Sequence, residues 1–177
     1  MEVKFIPIDR MYQEVQSKLY ERYDKVYSRH GQFNGPMQES CQELLKEMTG
    51  RKHVRLASSG TSSISLMLMA TGAKPGDKVA VTNYSCPATV TPIKVIGATP
   101  VFQDINKYGQ MDVENVSPCD YLVVTGLYGD NVNWDAIKKL KVPVLHDSAQ
   151  SFMSKFNGVE STKFGLMSII SFSTNKI

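Results

Sequence analysis

Apolar residues recur with a helical period in the first third of the chain and, from about residue 53 onward, in short runs that alternate with helical stretches. Asp9 can cap a helix whose apolar positions are Met11, Val15, Leu19, Tyr23 and Val26, so the period predicts an amphipathic helix running to about Arg29. After a loop over 30–35, Pro36 suits a first helical position. Met37, Cys41, Leu44, Leu45 and Met48 then form one stripe, and Gly50 can end it. Beyond this point strands are predicted over 53–57, 78–82, 99–104, 121–125, 142–147 and 167–173. The pattern over 112–116 is weak. Helices are predicted over 61–71, with Gly72 as stop, from a Ser85 cap to Gly97, and over 134–140 behind an Asn133 cap. Lys74-Pro75-Gly76-Asp77 has the residues of a type II turn, and Asn157-Gly158 those of a tight hairpin turn.

Strands and helices alternating at these lengths predict an α/β domain with a mostly parallel sheet and helices on both faces. Ligands of such sheets gather outside the carboxyl ends of the strands, so the informative residues are those that follow strands.

Composition narrows the chemistry. The 177 residues are enough to bury a core, and one domain spanning 1–177 is the default. A hydrophobic fraction of 42% and a charged fraction of 21% exclude disorder and low-complexity architecture. Net charge is +3 without a basic block, which leaves no footprint for nucleic acid. Three cysteines, with no C-x-x-C, are too few for a disulfide framework and fit reduced thiols in the cytoplasm. No apolar run approaches a membrane span, and the first residues lack the apolar core of a signal peptide, so an unexported chain without membrane association is expected. No metal-ligand spacing stands out.

Three places carry candidate chemistry. Ser58-Ser59-Gly60-Thr61-Ser62-Ser63 joins a strand to a helix, where unpaired N–H groups and the helix dipole can hold an anion such as phosphate. The same residues also suit an ordinary capped helix. The Walker and G-x-G-x-x-G spacings are absent, which argues against ATP and NAD. Asp147 ends the strand Val-Pro-Val-Leu-His-Asp, where a carboxylate is costly unless paired; a protonated ring nitrogen would suit it, and so would a local capping role. His146, its neighbour, points to the opposite face and reads as a packed or an exposed residue and not as a catalytic one. Lys176 follows the last strand, where a lysine can attack a carbonyl to form a Schiff base or can be a solvated charge.

The ordered set GPMQESCQELLKEMTGRKHV, SSGTSS, KPGDKVAVTNYSCPATV, GATPVFQDI, LYGDNVNWDAI, VPVLHDSAQS and SFSTNK resembles the large domain of the pyridoxal phosphate (PLP)-dependent nucleotide-sugar aminotransferases, the DegT/StrS family. The likeness runs collinearly from about Ile8 to the last residue, and the 29-residue interval from Asp147 to Lys176 is similar to the family's. It implies the three-layer large domain of fold-type-I PLP enzymes. It also implies roles residue by residue: Lys176 binds the PLP aldehyde as a Schiff base and shuttles protons, and Asp147 pairs with the pyridinium nitrogen. Gln150 lies near the phenolic side of the ring, while Gly60, Thr61 and Ser62 hold the phosphate with Ser171 as a further donor. The family's stacking aromatic aligns with Cys86, which cannot stack in the same manner; Tyr84 is two residues away. Relatives without transaminase activity carry His in place of the lysine, and this chain keeps Lys176.

Members of the family continue past the lysine through an antiparallel strand, lying between the first strand and the strand before the lysine, and then a C-terminal small domain. Against that pattern an incomplete large domain is expected, ending just after Lys176. The expected activity is transfer of an amino group, from a donor such as glutamate, to a keto-sugar nucleotide in sugar or polysaccharide biosynthesis. Expected partners are these small molecules, a second copy in a homodimer, and a second polypeptide carrying the remaining part. The alternatives are a fold-type-I PLP enzyme with a non-sugar substrate and a non-catalytic or split large-domain fragment.

Overall fold

The computed structural model describes residues 7–28, 34–173 and 176. Two compact units divide the chain, Met1–Leu56 and Ala57–Ile177. In the first, α1 (Ile8–Ser28) and α2 (Pro36–Thr49) are the only helices among the described residues. Helix α1 begins one residue before Asp9, which therefore sits in its first turn and not at its cap; Arg29 lies outside the described residues. None of its described residues is buried, and Met11, Val15, Leu19 and Tyr23 are all exposed. Helix α2 ends as predicted: Gly50 adopts a left-handed φ of 66° and donates its N–H to the Lys46 carbonyl at 2.8 Å.

The strand predicted over 53–57 does not form. Its composition suits extended backbone, but a strand is stabilised by its ladder, and no described strand pairs with this segment.

The second unit is built on five parallel strands: β1 (Lys78–Thr82), β2 (Thr99–Gln103), β3 (Tyr121–Thr125), β4 (Val144–Asp147) and β7 (Met167–Ile169), in the order β2-β1-β3-β4-β7. Strands β5 (Lys155–Phe156) and β6 (Val159–Glu160) form a separate antiparallel hairpin. Its turn has φ 49° at Asn157 and φ 78° at Gly158, the pair of positive values that favours Asn-Gly in a two-residue hairpin.

Alternation along each strand explains why the apolar runs are nearly continuous. Val79, Val81, Val123, Leu145 and Ile169 pack on one face against Ile64, Met67 and Leu68 of α3 (Gly60–Ala70) and Ile93 of α4 (Pro87–Val95). Ala80, Leu122, Val124 and Val144 face the other way, onto Trp134 and Ile137 of α5 (Trp134–Ile137) and onto Met111, Val113 and Val132. A parallel sheet covered on both faces has no polar side to alternate with. His146 belongs to this second face, fully buried with its ring edge-on to Trp134 at 4.8 Å.

Several elements are shorter than predicted. Strand β7 stops at Ile169, the partner of Asp147, because the neighbouring strand ends there and offers no further ladder. Helix α5 stops at Ile137, and helix α4 starts after Cys86 at its N-cap position; Ser85 contacts Thr89 Oγ1 at 3.2 Å without capping a backbone N–H.

Candidate active site

The carboxyl ends of β3, β4 and β7 and the first turns of α3 and α4 surround a cleft with a cavity volume of about 120 Å³. Its lining includes Gly60, Thr61, Cys86, Asp147, Gln150, Ser171 and Lys176. Seven of the eight positions singled out in the sequence thus meet in one place. Their convergence follows from the parallel sheet, which brings strand ends distant in sequence to a single edge.

Asp147 is the last residue of β4 and is only 5% exposed. Its carboxylate is held at both oxygens: Thr89 Oγ1 donates to Oδ2 at 2.8 Å, and the Ala149 N–H donates to Oδ1 at 3.1 Å. Burial pushes the acid above the usual carboxylate range, while the Thr89 and Ala149 bonds and the charge of Lys176 pull it back. An apolar wall therefore raises the cost of the charge, and the polar groups around it favour a cationic partner.

Lys176 lines the cleft and donates its backbone N–H to the Ser173 carbonyl at 2.9 Å. Gln150 follows β4 on the turn that Asp147 begins. Its Oε1 accepts the Tyr128 N–H at 3.1 Å, which leaves the amide nitrogen as the end that can donate to a ligand. Tyr128 has a left-handed φ of 57°, a conformation uncommon for a bulky residue and here the one that aims its N–H at Gln150.

At the start of α3, Ser59 is the N-cap and its hydroxyl accepts the Ser62 N–H at 3.1 Å. The N–H groups of Gly60 and Thr61 are then the first-turn donors left at the cleft. Ser62 does not line it; its hydroxyl lies 3.1 Å from that of Ser58 and 3.0 Å from that of Ser59, within the turn. Ser171 does line it, and its hydroxyl accepts the Ser173 N–H at 3.3 Å. Cys86 is exposed at the start of α4 with a free thiol. Tyr84 is not among the lining residues, and its hydroxyl meets that of Tyr128 at 2.7 Å.

Among the lining residues the sequence did not single out are two threonines, Thr89 and Thr125. Thr89 sits in an apolar helix 58 positions from the carboxylate it serves, and nothing local signals that bond. Thr125, by contrast, is the polar last residue of the apolar run Tyr-Leu-Val-Val-Thr, the same signal that singled out Asp147. Among the described residues no group of three or more His, Cys, Asp or Glu side chains could hold a metal ion.

The arrangement suits a ligand with an anion at one end, a cationic ring nitrogen at the other and a carbonyl within reach of an amine. A UDP-2-acetamido-2-deoxy-3-oxo-D-glucuronate aminotransferase from Pseudomonas aeruginosa is 28% identical over 98% of this chain and 51% of its own length. A DegT DnrJ EryC1 StrS aminotransferase from Brucella abortus superposes with a TM-score of 0.89 at 24% identity, over 97% of this chain and 50% of the other. The E. coli GDP-4-keto-6-deoxy-D-mannose-3-dehydratase with bound hydrated PLP superposes with a TM-score of 0.76 at 23% identity, over 83% of this chain and 42% of the other. The chain thus spans about half the length of the curated relatives it matches. Its residues 14–177 match the sequence profile of one family. The five-stranded parallel sheet, the collinear motifs and that match agree: the chain belongs to the DegT/DnrJ/EryC1/StrS aminotransferase family.

Proposed function

We propose that this chain is the PLP-binding half of an aminotransferase that transfers an amino group, with glutamate as donor, to a keto-sugar nucleotide. The observation that carries the reading is the meeting of Asp147, Lys176, Gln150 and the α3 N-terminus in one cleft. Each polar feature of PLP has a chemically suitable counterpart there. The N–H groups of Gly60 and Thr61 suit the phosphate, with the Ser171 hydroxyl as a further donor and Ser62 acting through the turn. The buried Asp147 carboxylate suits a protonated ring nitrogen, and the Gln150 amide suits the phenolic oxygen. Lys176 supplies the amine that holds the aldehyde carbon. When bound, PLP supplies an electron sink for the carbon that gives up its proton.

The chain's own groups do the rest. Asp147 keeps the proton on the ring nitrogen, since a buried carboxylate is stabilised by the adjacent cation. Lys176 Nζ takes up and returns a proton at the amino-bearing carbon. Cys86 offers the ring face a thiol, a weaker contact than an aromatic side chain.

A homodimer, joined by a second polypeptide where the remaining half is separately encoded, completes the reading. The relatives are about twice as long as this chain, which bears on the second polypeptide and not on the homodimer. Three free cysteines, and the lack of any described helix long and apolar enough to cross a membrane, support work in the cytoplasm. The test is to incubate the natively purified protein with a UDP- or GDP-linked keto-hexose and glutamate and to measure 2-oxoglutarate and amino sugar. Equal amounts of both are expected. A protein that binds PLP yet forms neither product with any such pair would overturn the reading.

A further inference from the structure

The Thr125 hydroxyl is a buried polar atom that no donor or acceptor among the described residues reaches. Leaving such a group unsatisfied is costly, and natural proteins keep few of them. Thr125 is 4% exposed and lines the cleft at the carboxyl end of β3. In the parallel ladder it is the direct partner of Asp147, so both side chains rise from the same face of the sheet on adjacent strands, about 5 Å apart. The Asp147 oxygens already take bonds from Thr89 and Ala149, and neither comes from Thr125. A threonine hydroxyl swings among staggered positions about χ1, so it can present its O–H to whatever fills the cleft.

The geometry points to Thr125 as a direct contact of the bound cofactor: its hydroxyl donates a hydrogen bond to the phenolic oxygen of the PLP ring, beside the nitrogen held by Asp147. This rests on the reading of the cleft as a PLP site. The juxtaposition explains the choice of oxygen. Of the ring substituents near a nitrogen held by Asp147, the phenolic oxygen is the one that would take a hydrogen bond, and Thr125 is the donor that the partner strand β3 offers beside Asp147. Gln150 lines the same cleft, and with its Oε1 taken by the Tyr128 N–H its amide nitrogen would serve the same oxygen from the turn after β4. Valine would occupy nearly the same volume without the hydroxyl, and that hydroxyl has no partner among the described residues, so a ligand in the cleft is what would satisfy it.

The test compares Thr125→Val and Thr125→Ser with the unaltered protein. PLP affinity is read by titration of cofactor absorbance, and thermal stability is read without cofactor. Thr125→Val should weaken PLP binding by about tenfold, the loss expected for one neutral hydrogen bond. The same variant should melt, without cofactor, at or above the temperature of the unaltered protein, because an unsatisfied buried hydroxyl has been removed. Thr125→Ser, which keeps the hydroxyl and loses the methyl, should bind within about threefold of the unaltered protein. Unchanged affinity in Thr125→Val would overturn the inference and leave the PLP site standing. Equal losses in both variants would assign the effect to the methyl group and overturn it as well. An unaltered protein that fails to bind PLP would overturn the underlying reading, and this inference with it.

Discussion

Thr89→Val removes one of the two hydrogen bonds to the Asp147 carboxylate while preserving side-chain shape. The bond is 2.8 Å long, Thr89 is fully buried, and the Ala149 N–H and the Lys176 charge remain in the variant. A hydrogen bond to a charged group contributes about 1.5–3 kcal/mol, and one pKa unit corresponds to about 1.4 kcal/mol. Asp147, already above its ordinary 3.8 through burial, should therefore rise further. The sign of the stability effect follows. The folded protein without cofactor holds a proton at Asp147 that the unfolded chain releases, so this contribution is fully present below the ordinary value. It is lost as pH rises through the folded value. The assay is the thermal midpoint of the cofactor-free protein as a function of pH. The decline attributable to Asp147 should move to higher pH in Thr89→Val, stay in place in Thr89→Ser and vanish in Asp147→Asn. As pH is lowered, PLP affinity should begin to fall at a higher pH in Thr89→Val than in the unaltered protein, following the ionised fraction of Asp147. Curves for Thr89→Val and the unaltered protein that superimpose would refute Thr89 as the group that holds this carboxylate ionised.

Other outcomes follow from the same geometry. Gly126→Ala would drive a Cβ into Ser151 Oγ and to 2.9 Å from the Asp130 carbonyl. It should lower stability by about 1–3 kcal/mol, measured by denaturant unfolding, with partial recovery when Ser151→Gly is added. Asp147→Asn should slow the half-reaction with an amino donor far more than it loosens PLP, since it removes the charge and keeps the shape; rapid-mixing absorbance would show equal rates if the carboxylate had no ring-nitrogen role. Sedimentation of the natively purified protein should give at least a dimer, and a well-behaved monomer would count against that assembly.

Much of the fold was legible because its signal is local. The apolar runs of β1, β3 and β4, the Pro36 start and Gly50 end of α2, and the Asn157-Gly158 turn all appear at the expected positions. Where the reading failed, the deciding contacts are distant in sequence. Residues 53–57 have strand composition, but no described partner strand exists for them. Strand β7 is cut at Ile169 by the end of its neighbour and not by its own residues. In the site, Asp147 could be found from its place at a strand end, and so could Thr125. Thr89 could not, because its role exists only once α4 is packed over β4. Ser62 looked like a ligand contact from the turn motif, yet Ser59 takes its N–H and the neighbouring serines engage its hydroxyl.

The central claim is that Lys176 is the residue that holds PLP covalently. The most direct measurement is borohydride reduction of the protein incubated with PLP, followed by proteolysis and mass spectrometry of the lysine-containing peptides. The account predicts a stable pyridoxyl label on Lys176, lost in Lys176→Ala. Label concentrated on any other lysine, with Lys176 unmodified, would contradict it.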